Sequence, residues 1–279
     1  MKTCLLGLLA ETSIHPGGSE SSGIVDLPVP REAATDYPVI PGSSLKGALL
    51  ALAREQGADG NERVSESDRV RIFGQQDNAG ALLVSDARLL LLPVRSLQSA
   101  YKWLTCPHLL ERFQRDRQRA GEPGPGLPLP PVSRDRYLGA DDGLLFLEER
   151  QFQRQGELPM NLVATLEPLI QHAETKKRLP SQLVVLNDDD FAWFARYGLA
   201  VRARNVLDEK RKTSRNLWYE EAIPPDTLFY ALLAERLPNA IEPVNGLFAD
   251  RPYLQVGGNE TVGMGWFAVT TPHSHRATA

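Results

Sequence analysis

Between residues 24 and 48 the sequence reads IVDLPVPREAATDYPVIPGSSLKGA. Asp26 is an isolated carboxylate, the next acid along the chain being Glu32, so it could take a proton or hold a cation. Further along, Gly42, Ser43, Ser44, Lys46 and Gly47 precede ALLALARE, whose apolar spacing predicts a helix over residues 44–56. Backbone N–H groups, two hydroxyls and an ammonium then converge where a helix begins, and such a turn can hold a phosphate. His15, inside SIHPGG, adds a group able to work as a general acid or base. Taken singly, each has an ordinary reading. A loop aspartate is commonly a turn or cap residue, a loop histidine is commonly structural, and a glycine cluster is commonly a tight turn.

Other segments carry weaker signals. Gly257, Gly258, Gly263 and Gly265 do not match GxGxxG and a strand follows them, which excludes a dinucleotide fingerprint. Lys46 precedes its glycine, which excludes a P-loop. Both glycine clusters could still present N–H groups to an anion. The net charge of -4 argues against a chain coated in positive charge, so any polyanion must be held by a local patch. One such patch is the run Arg202, Arg204, Lys210, Arg211, Lys212 and Arg215, set against Asp208 and Glu209. Trp218, Tyr219, Glu220 and Glu221 follow it, and aromatics beside cations suit unstacked bases, although strand aromatics are often core. No Ser-His-Asp order or metal-ligand cluster stands out. His273 and His275 lie in a polar tail.

The elements that must position these residues are mixed. Residues 3–10 predict a buried strand, 11–42 a long loop, and AGALLVSDARLLLL contains an apolar run that suits another buried strand. PHLLERFQRDRQR predicts a helix opened by Pro107, and GEPGPGLPLPP an exposed loop. LLFLEERQFQRQ alternates like a strand, LPMNLVATLEPLIQHAE has helical spacing, QLVVLN is a buried strand, and DDDFAWFARYG is a helix with acids at its positive end. LAVRARNVL and NLWYEEAI flank the basic DEKRKTSR in the pattern of a hairpin; TLFYALLAE and the two sides of the last glycine cluster are strands. Without a strict alternating repeat, α+β is favoured over a doubly wound sheet. The 42% hydrophobic content supports a well-buried core, and no apolar run approaches the ~20 residues of a membrane span. With only Cys4 and Cys106, neither a disulfide framework nor a structural zinc site is supported, and a cytoplasmic location is the simplest.

In combination these segments resemble one family: the repeated backbone subunit of the type III-B CRISPR effector, the Cmr complex, within the RAMP superfamily. The matching pieces are SIHPGG, GIVDLPVPRE, YPVIPGSSLKGAL, IFG, GALLVSDARLLLLPVRS with LTCP, NLWYEEAIPPDTLFY and QVGGNETVGMGW, in the family's order across nearly the whole chain. The resemblance implies that residues 1–279 form one RAMP domain, an RRM-like (ferredoxin-like) palm with insertions and a protruding thumb hairpin, for which 204–217 is the candidate. It implies head-to-tail copies along a guide RNA, other Cmr subunits as partners, and cleavage of a paired single-stranded target RNA. Asp26 matches the family's catalytic aspartate, with His15 in support and Glu220 or Glu221 in the next layer. A divalent cation, magnesium or manganese, is expected for cleavage. RNA contacts are implied for Arg31, Ser43, Ser44, Lys46 and Gly47. They are also implied for Arg204, Lys210 and Arg215 on the hairpin, and for Gly257, Gly258, Thr261 and Gly263. The competing readings are a non-catalytic RNA-binding scaffold and the equivalent type III-A backbone subunit.

Overall fold

The computed structural model describes residues 1–18, 24–58, 63–122, 124, 126–208 and 210–271. Glu209, His273 and His275 lie outside them, as do residues 19–23 of the long loop and Pro123 and Pro125 of the proline-rich loop. The strand Thr3–Ala10 is buried along its whole length, because TCLLGLLA has almost nothing polar to offer water on either face. It pairs antiparallel with Leu228–Glu235 on one side and Trp266–Thr270 on the other. Leu228–Glu235 pairs in turn with Ala87–Arg95, and Tyr253–Gln255 forms the outer edge beside Trp266–Thr270.

Hydrophobic layers cover both faces of this sheet. On one, Leu45, Leu49 and Ala53 of the helix Gly42–Ala58 pack with Leu6, Leu8 and Leu89. On the other, Leu5, Leu9, Leu90 and Tyr230 meet Leu110 and Phe113 of the helix Pro107–Arg119. Between Ala87–Arg95 and Leu228–Glu235 the chain inserts five further strands into the same sheet, in spatial order Tyr101–Thr105, Leu183–Leu186, Arg136–Gly139, Arg150–Gly156 and Leu144–Leu147. Two of these contacts are parallel, so the sheet is mixed and the fold is α+β. The last strand is not left as an open edge. Ser96 bridges Leu147, and the Glu148 N–H donates to the Arg95 carbonyl at 3.0 Å, which covers backbone that would otherwise pair with another chain.

Three sequence expectations change. GSSLKG lies inside the helix Gly42–Ala58 rather than in a turn before it. LLFLEERQFQRQ makes two strands, Leu144–Leu147 and Arg150–Gly156, because Glu148 takes a left-handed conformation (φ 50°) and reverses the chain. LPMNLVATLEPLIQHAE is not one helix: it breaks into Leu162–Leu166, the 3-10 turn Glu167–Leu169 around Pro168, and the start of Ala173–Gln182.

The hairpin forms as expected. Ala200–Leu207 and Ser214–Ala222 form a two-stranded sheet of their own, running from Ala200 opposite Ala222 to Val206 opposite Asn216, with a register shift before Leu207 opposite Ser214. At its tip the Asp208 carboxylate accepts the backbone N–H groups of Lys210 and Arg211 at 3.0 and 2.8 Å. Most of its residues are exposed, so it stands off the sheet. No helix among the described residues is long and apolar enough to cross a membrane.

The strand Thr3–Ala10 tolerates only glycine at position 7, where a Cβ would lie 2.4 Å from Thr270 Oγ1 and 2.6 Å from the Leu169 carbonyl oxygen. Gly7→Ala is expected to destabilise the fold by about 1–3 kcal/mol through overpacking, measured as a lowered denaturant midpoint at unchanged m-value.

Candidate functional site

The long loop after the first strand is held by the base of the hairpin. Ile14 and Ile223 exchange two backbone hydrogen bonds at 2.9 Å. Leu27 donates to the Tyr219 carbonyl at 3.1 Å and accepts from the Glu221 N–H at 2.9 Å, adding a short parallel bridge to the strand Ser214–Ala222. Asp26 sits beside this bridge, half exposed, and its Oδ2 accepts the Tyr219 N–H at 2.7 Å. Its Oδ1 has no partner among the described residues.

His15 is buried, with Nδ1 3.0 Å from the Glu221 carbonyl oxygen. An acceptor there requires the proton on Nδ1, so in the neutral ring Nε2 is the bare nitrogen. The Glu221 carboxylate accepts the Val29 N–H at 3.0 Å and Arg31 Nη2 at 2.7 Å. Arg31 also donates to the carbonyls of Asp36 and Ala195, both at 2.8 Å, and is only 17% exposed. This guanidinium braces the Asp26 segment; it is spent inside the protein and is no free phosphate ligand.

Glu220 points the other way. It is buried, accepts Arg204 Nε at 3.2 Å and Asn259 Nδ2 at 2.6 Å, and so ties the hairpin to the glycine-rich turn. The Gly258 N–H donates to the His15 carbonyl at 3.0 Å. At Gly257 (φ +91°) a Cβ would lie 2.2 Å from that same oxygen, so this glycine serves the packing of the turn. Gly258, Thr261 and Gly263 remain on the exposed side of the turn. Asp26, His15, Arg204, Gly257 and Gly258 therefore form one assembly, while Lys210 and Arg215 stand exposed toward the tip of the hairpin, Arg215 facing Asp208 at 3.7 Å.

The residues at the start of the helix Gly42–Ala58 form a separate group. The Gly42 N–H already donates to Asp86 Oδ1 at 2.7 Å, so the helix end carries a carboxylate of the protein itself. What faces outward is the helix side. Ser43, Lys46 and Gly47, spaced i, i+3 and i+4, share one face, with Ser44 half buried behind them. Lys46 Nζ donates to the Leu82 carbonyl at 3.2 Å, and burial together with the neighbouring Arg236 charge holds its ammonium below the ordinary lysine range. Nothing lies within 4 Å of where a Gly47 Cβ would be. A glycine inside a helix costs about 1 kcal/mol relative to alanine, and packing gives no reason for it here.

No group of three His, Cys, Asp or Glu side chains capable of holding a metal occurs among the described residues. Glu220 and Glu221 are fully engaged, which leaves Asp26 Oδ1 as the one open carboxylate oxygen of this assembly. The residues present therefore do not make a resident magnesium or manganese cage. Sequence reasoning also missed Asn259, Asp86 and Arg236. Asn259 alone left a signal, since an asparagine after two glycines suits the left-handed conformation it takes (φ 63°).

The family model of the RAMP superfamily matches residues 8–268, and the chain belongs to that superfamily. It is similar to the CRISPR system Cmr endoribonuclease Cmr4 of Pyrococcus furiosus, 34% identical over 291 residues that cover 97% of this chain and 96% of that protein. The crystal structure of oligomeric Cmr4 from that organism superposes with a TM-score of 0.76 at 31% identity, covering 97% of this chain and 98% of the other. The CRISPR system Cms endoribonuclease Csm3 of Streptococcus thermophilus matches only 28% of this chain and 40% of its own length, at 38% identity.

Because the Glu221 carboxylate holds Val29 and Arg31, and with them the loop that bears Asp26, Glu221→Ala is expected to cost about 3 kcal/mol by stranding the buried Arg31 charge. Asp26→Asn, which keeps an acceptor for the Tyr219 N–H, should leave thermal unfolding near the unaltered protein. Calorimetry of the two variants separates the brace from the working group.

Proposed function

We propose that the chain is the guide-RNA-binding backbone subunit of a type III-B CRISPR effector and that it cleaves the target RNA paired to the guide. The observation that carries this reading is Asp26. It is a carboxylate fixed through one oxygen by the Tyr219 N–H and open at the other, at the base of a hairpin that projects cations into solvent. The full-length similarity to a Cmr endoribonuclease supports it, whereas the type III-A relative is matched over a small part of the chain.

The strand order supports an RRM-like palm. Trp266–Thr270, Thr3–Ala10, Leu228–Glu235 and Ala87–Arg95 are fourth, first, third and second in chain order. Helices follow the first strand (Gly42–Ala58) and the third (Ile241–Gly246), the ferredoxin-like βαββαβ pattern with a long insertion after its second strand. Its unbroken sheet favours a single domain. Copies stack head to tail along the guide, a heterologous arrangement that builds an open filament rather than a closed ring, with other Cmr subunits at its ends. The setting is the cytoplasm, where Cys4 and Cys106 stay reduced and buried.

The hairpin is the thumb that interrupts the guide–target duplex and splays a target nucleotide toward its own base. There the freed ribose turns its 2′-OH in line with the adjacent phosphate. Asp26 takes the 2′-OH proton, the 2′-oxygen bonds to phosphorus, and the bond from phosphorus to the 5′-oxygen breaks; that oxygen takes a proton from solvent. The products are a 2′,3′-cyclic phosphate and a 5′-hydroxyl. Much of the rate comes from holding a flexible RNA in this geometry. His15 acts by position, its Nδ1–H locking the loop to Glu221. In the alternative to taking the proton, the same Asp26 oxygen would hold magnesium or manganese together with RNA phosphates, and the ion would neutralise charge at the reacting group.

In a reconstituted complex, Asp26→Asn is expected to retain guide binding and assembly and to slow target cleavage by at least about 100-fold, scored by the appearance of cut target over time. Cutting at the normal rate would leave the scaffold reading in place. Replacing Lys210, Arg211 and Lys212 with glutamate should impair duplex engagement while leaving the thermal stability of the free chain unchanged, because all three side chains are exposed at the tip.

A further inference from the structure

Two cations beside the helix Gly42–Ala58 lack a carboxylate partner. Lys46 Nζ donates to the Leu82 carbonyl at 3.2 Å, and Arg236 Nε donates to the Gly80 carbonyl at 3.0 Å, with Nη2 on the Ala79 carbonyl. Both side chains thus converge on one short segment, residues 79–82. Among the described residues neither makes an ion pair, although the chain has more acids than bases and pairs many of its other arginines. The two charges are close enough for Arg236 to disfavour the charged form of Lys46. An uncompensated pair of like charges, one of them half buried, is a cost to the free protein that an anion placed between them removes.

The surroundings fit a chain of phosphates. Gly47 is exposed next to Lys46, with nothing within 4 Å of where a Cβ would be, so only something outside the chain gains from its missing side chain. Ser43 is exposed on the same helical face and offers a hydroxyl. Arg236 lies far from this helix in sequence, in no motif, directly after the strand Leu228–Glu235. It reaches the site because that strand lies alongside Leu82–Val84, with Glu235 opposite Leu82.

We propose that Arg236 and Lys46 form one phosphate clamp, which grips the guide backbone as it crosses the helix face at Ser43 and Gly47. The proposal rests on the guide-binding reading above and adds to it the residue that completes the grip. On binding, the two side chains exchange the carbonyls of residues 79–82 for phosphate oxygens. The fork of the guanidinium takes two of these oxygens, and the ammonium acts as a point charge beside them.

The test is the salt dependence of binding between the purified full chain and a guide-length single-stranded RNA. It compares the unaltered protein, Lys46→Gln, Arg236→Gln and the double variant, with thermal unfolding of each measured in parallel. Each single substitution is expected to lower the slope of log K against log salt by about 0.7, and the double substitution by about 1.4, for one phosphate contact each. Gly47→Ala is expected to raise the unfolding temperature and yet weaken binding. If Lys46→Gln lowers the slope and Arg236→Gln does not, the clamp is wrong and guide binding by the helix stands. If neither changes the slope, or the unaltered chain shows no salt-dependent binding, the guide-binding reading of this face falls with the clamp. A purely structural Arg236 would lower the unfolding temperature at constant slope.

Discussion

The site depends on how two adjacent buried carboxylates are neutralised. Glu220 and Glu221 are consecutive in one strand, so they project to opposite faces of the hairpin and cannot share partners. Glu221 takes Arg31 and the Val29 N–H on one face, while Glu220 takes Arg204 and Asn259 on the other. Burying a carboxylate without such partners would cost several kcal/mol, so each acid forces its own segment into place. The first brings in the Asp26 loop and the second brings in the glycine-rich turn. His15 then joins the two halves, its ring on the Glu221 carbonyl and its own carbonyl on Gly258.

A two-stranded ribbon is marginal by itself, and this explains why the inner and outer halves of the hairpin differ. Near its base Ile14 and Leu27 supply extra backbone pairing, and residues 220–223 are buried. Farther out that support ends. Val201, Leu207, Leu217 and Tyr219 share one face and are 43–53% exposed, with Arg202 and Arg204 on the opposite face. In the proposed function it is this outer half, with its exposed apolar side chains and with Lys210, Arg211 and Lys212 exposed at the tip, that enters the guide–target duplex. Asp26 is attached at the boundary between the two halves, bonded to the Tyr219 N–H.

What could be read from the residues was local. Alternation and flanking turns gave the hairpin its strands, and the apolar run TCLLGLLA gave the central strand. Propensity failed where one residue overrode it, as at Glu148 and Pro168. The ties of the site were illegible because they join distant segments through ordinary charged residues. Arg31 reads as a possible phosphate ligand until Glu221 and two carbonyls are seen to occupy it. Asp26, isolated along the chain, lies beside two other acids in space, and only the neutralisation of those two leaves it as the open one.

The glycines separate interior demands from exterior ones. At Gly7, Gly42 and Gly257 a side chain would collide with the protein's own backbone or with a packed neighbour, so the fold accounts for each. Gly47 and Gly258 are exposed and face open space, and the fold accounts for neither. Gly47 lowers the stability of the helix with no packing gain inside the protein, which fits the close approach of a guide backbone proposed above. These two glycines lie on different structures, one on the helix face with Lys46 and the other on the turn bonded to His15. In the proposed function these surfaces meet separate RNA strands, the guide at the helix face and the target at the turn beside Asp26.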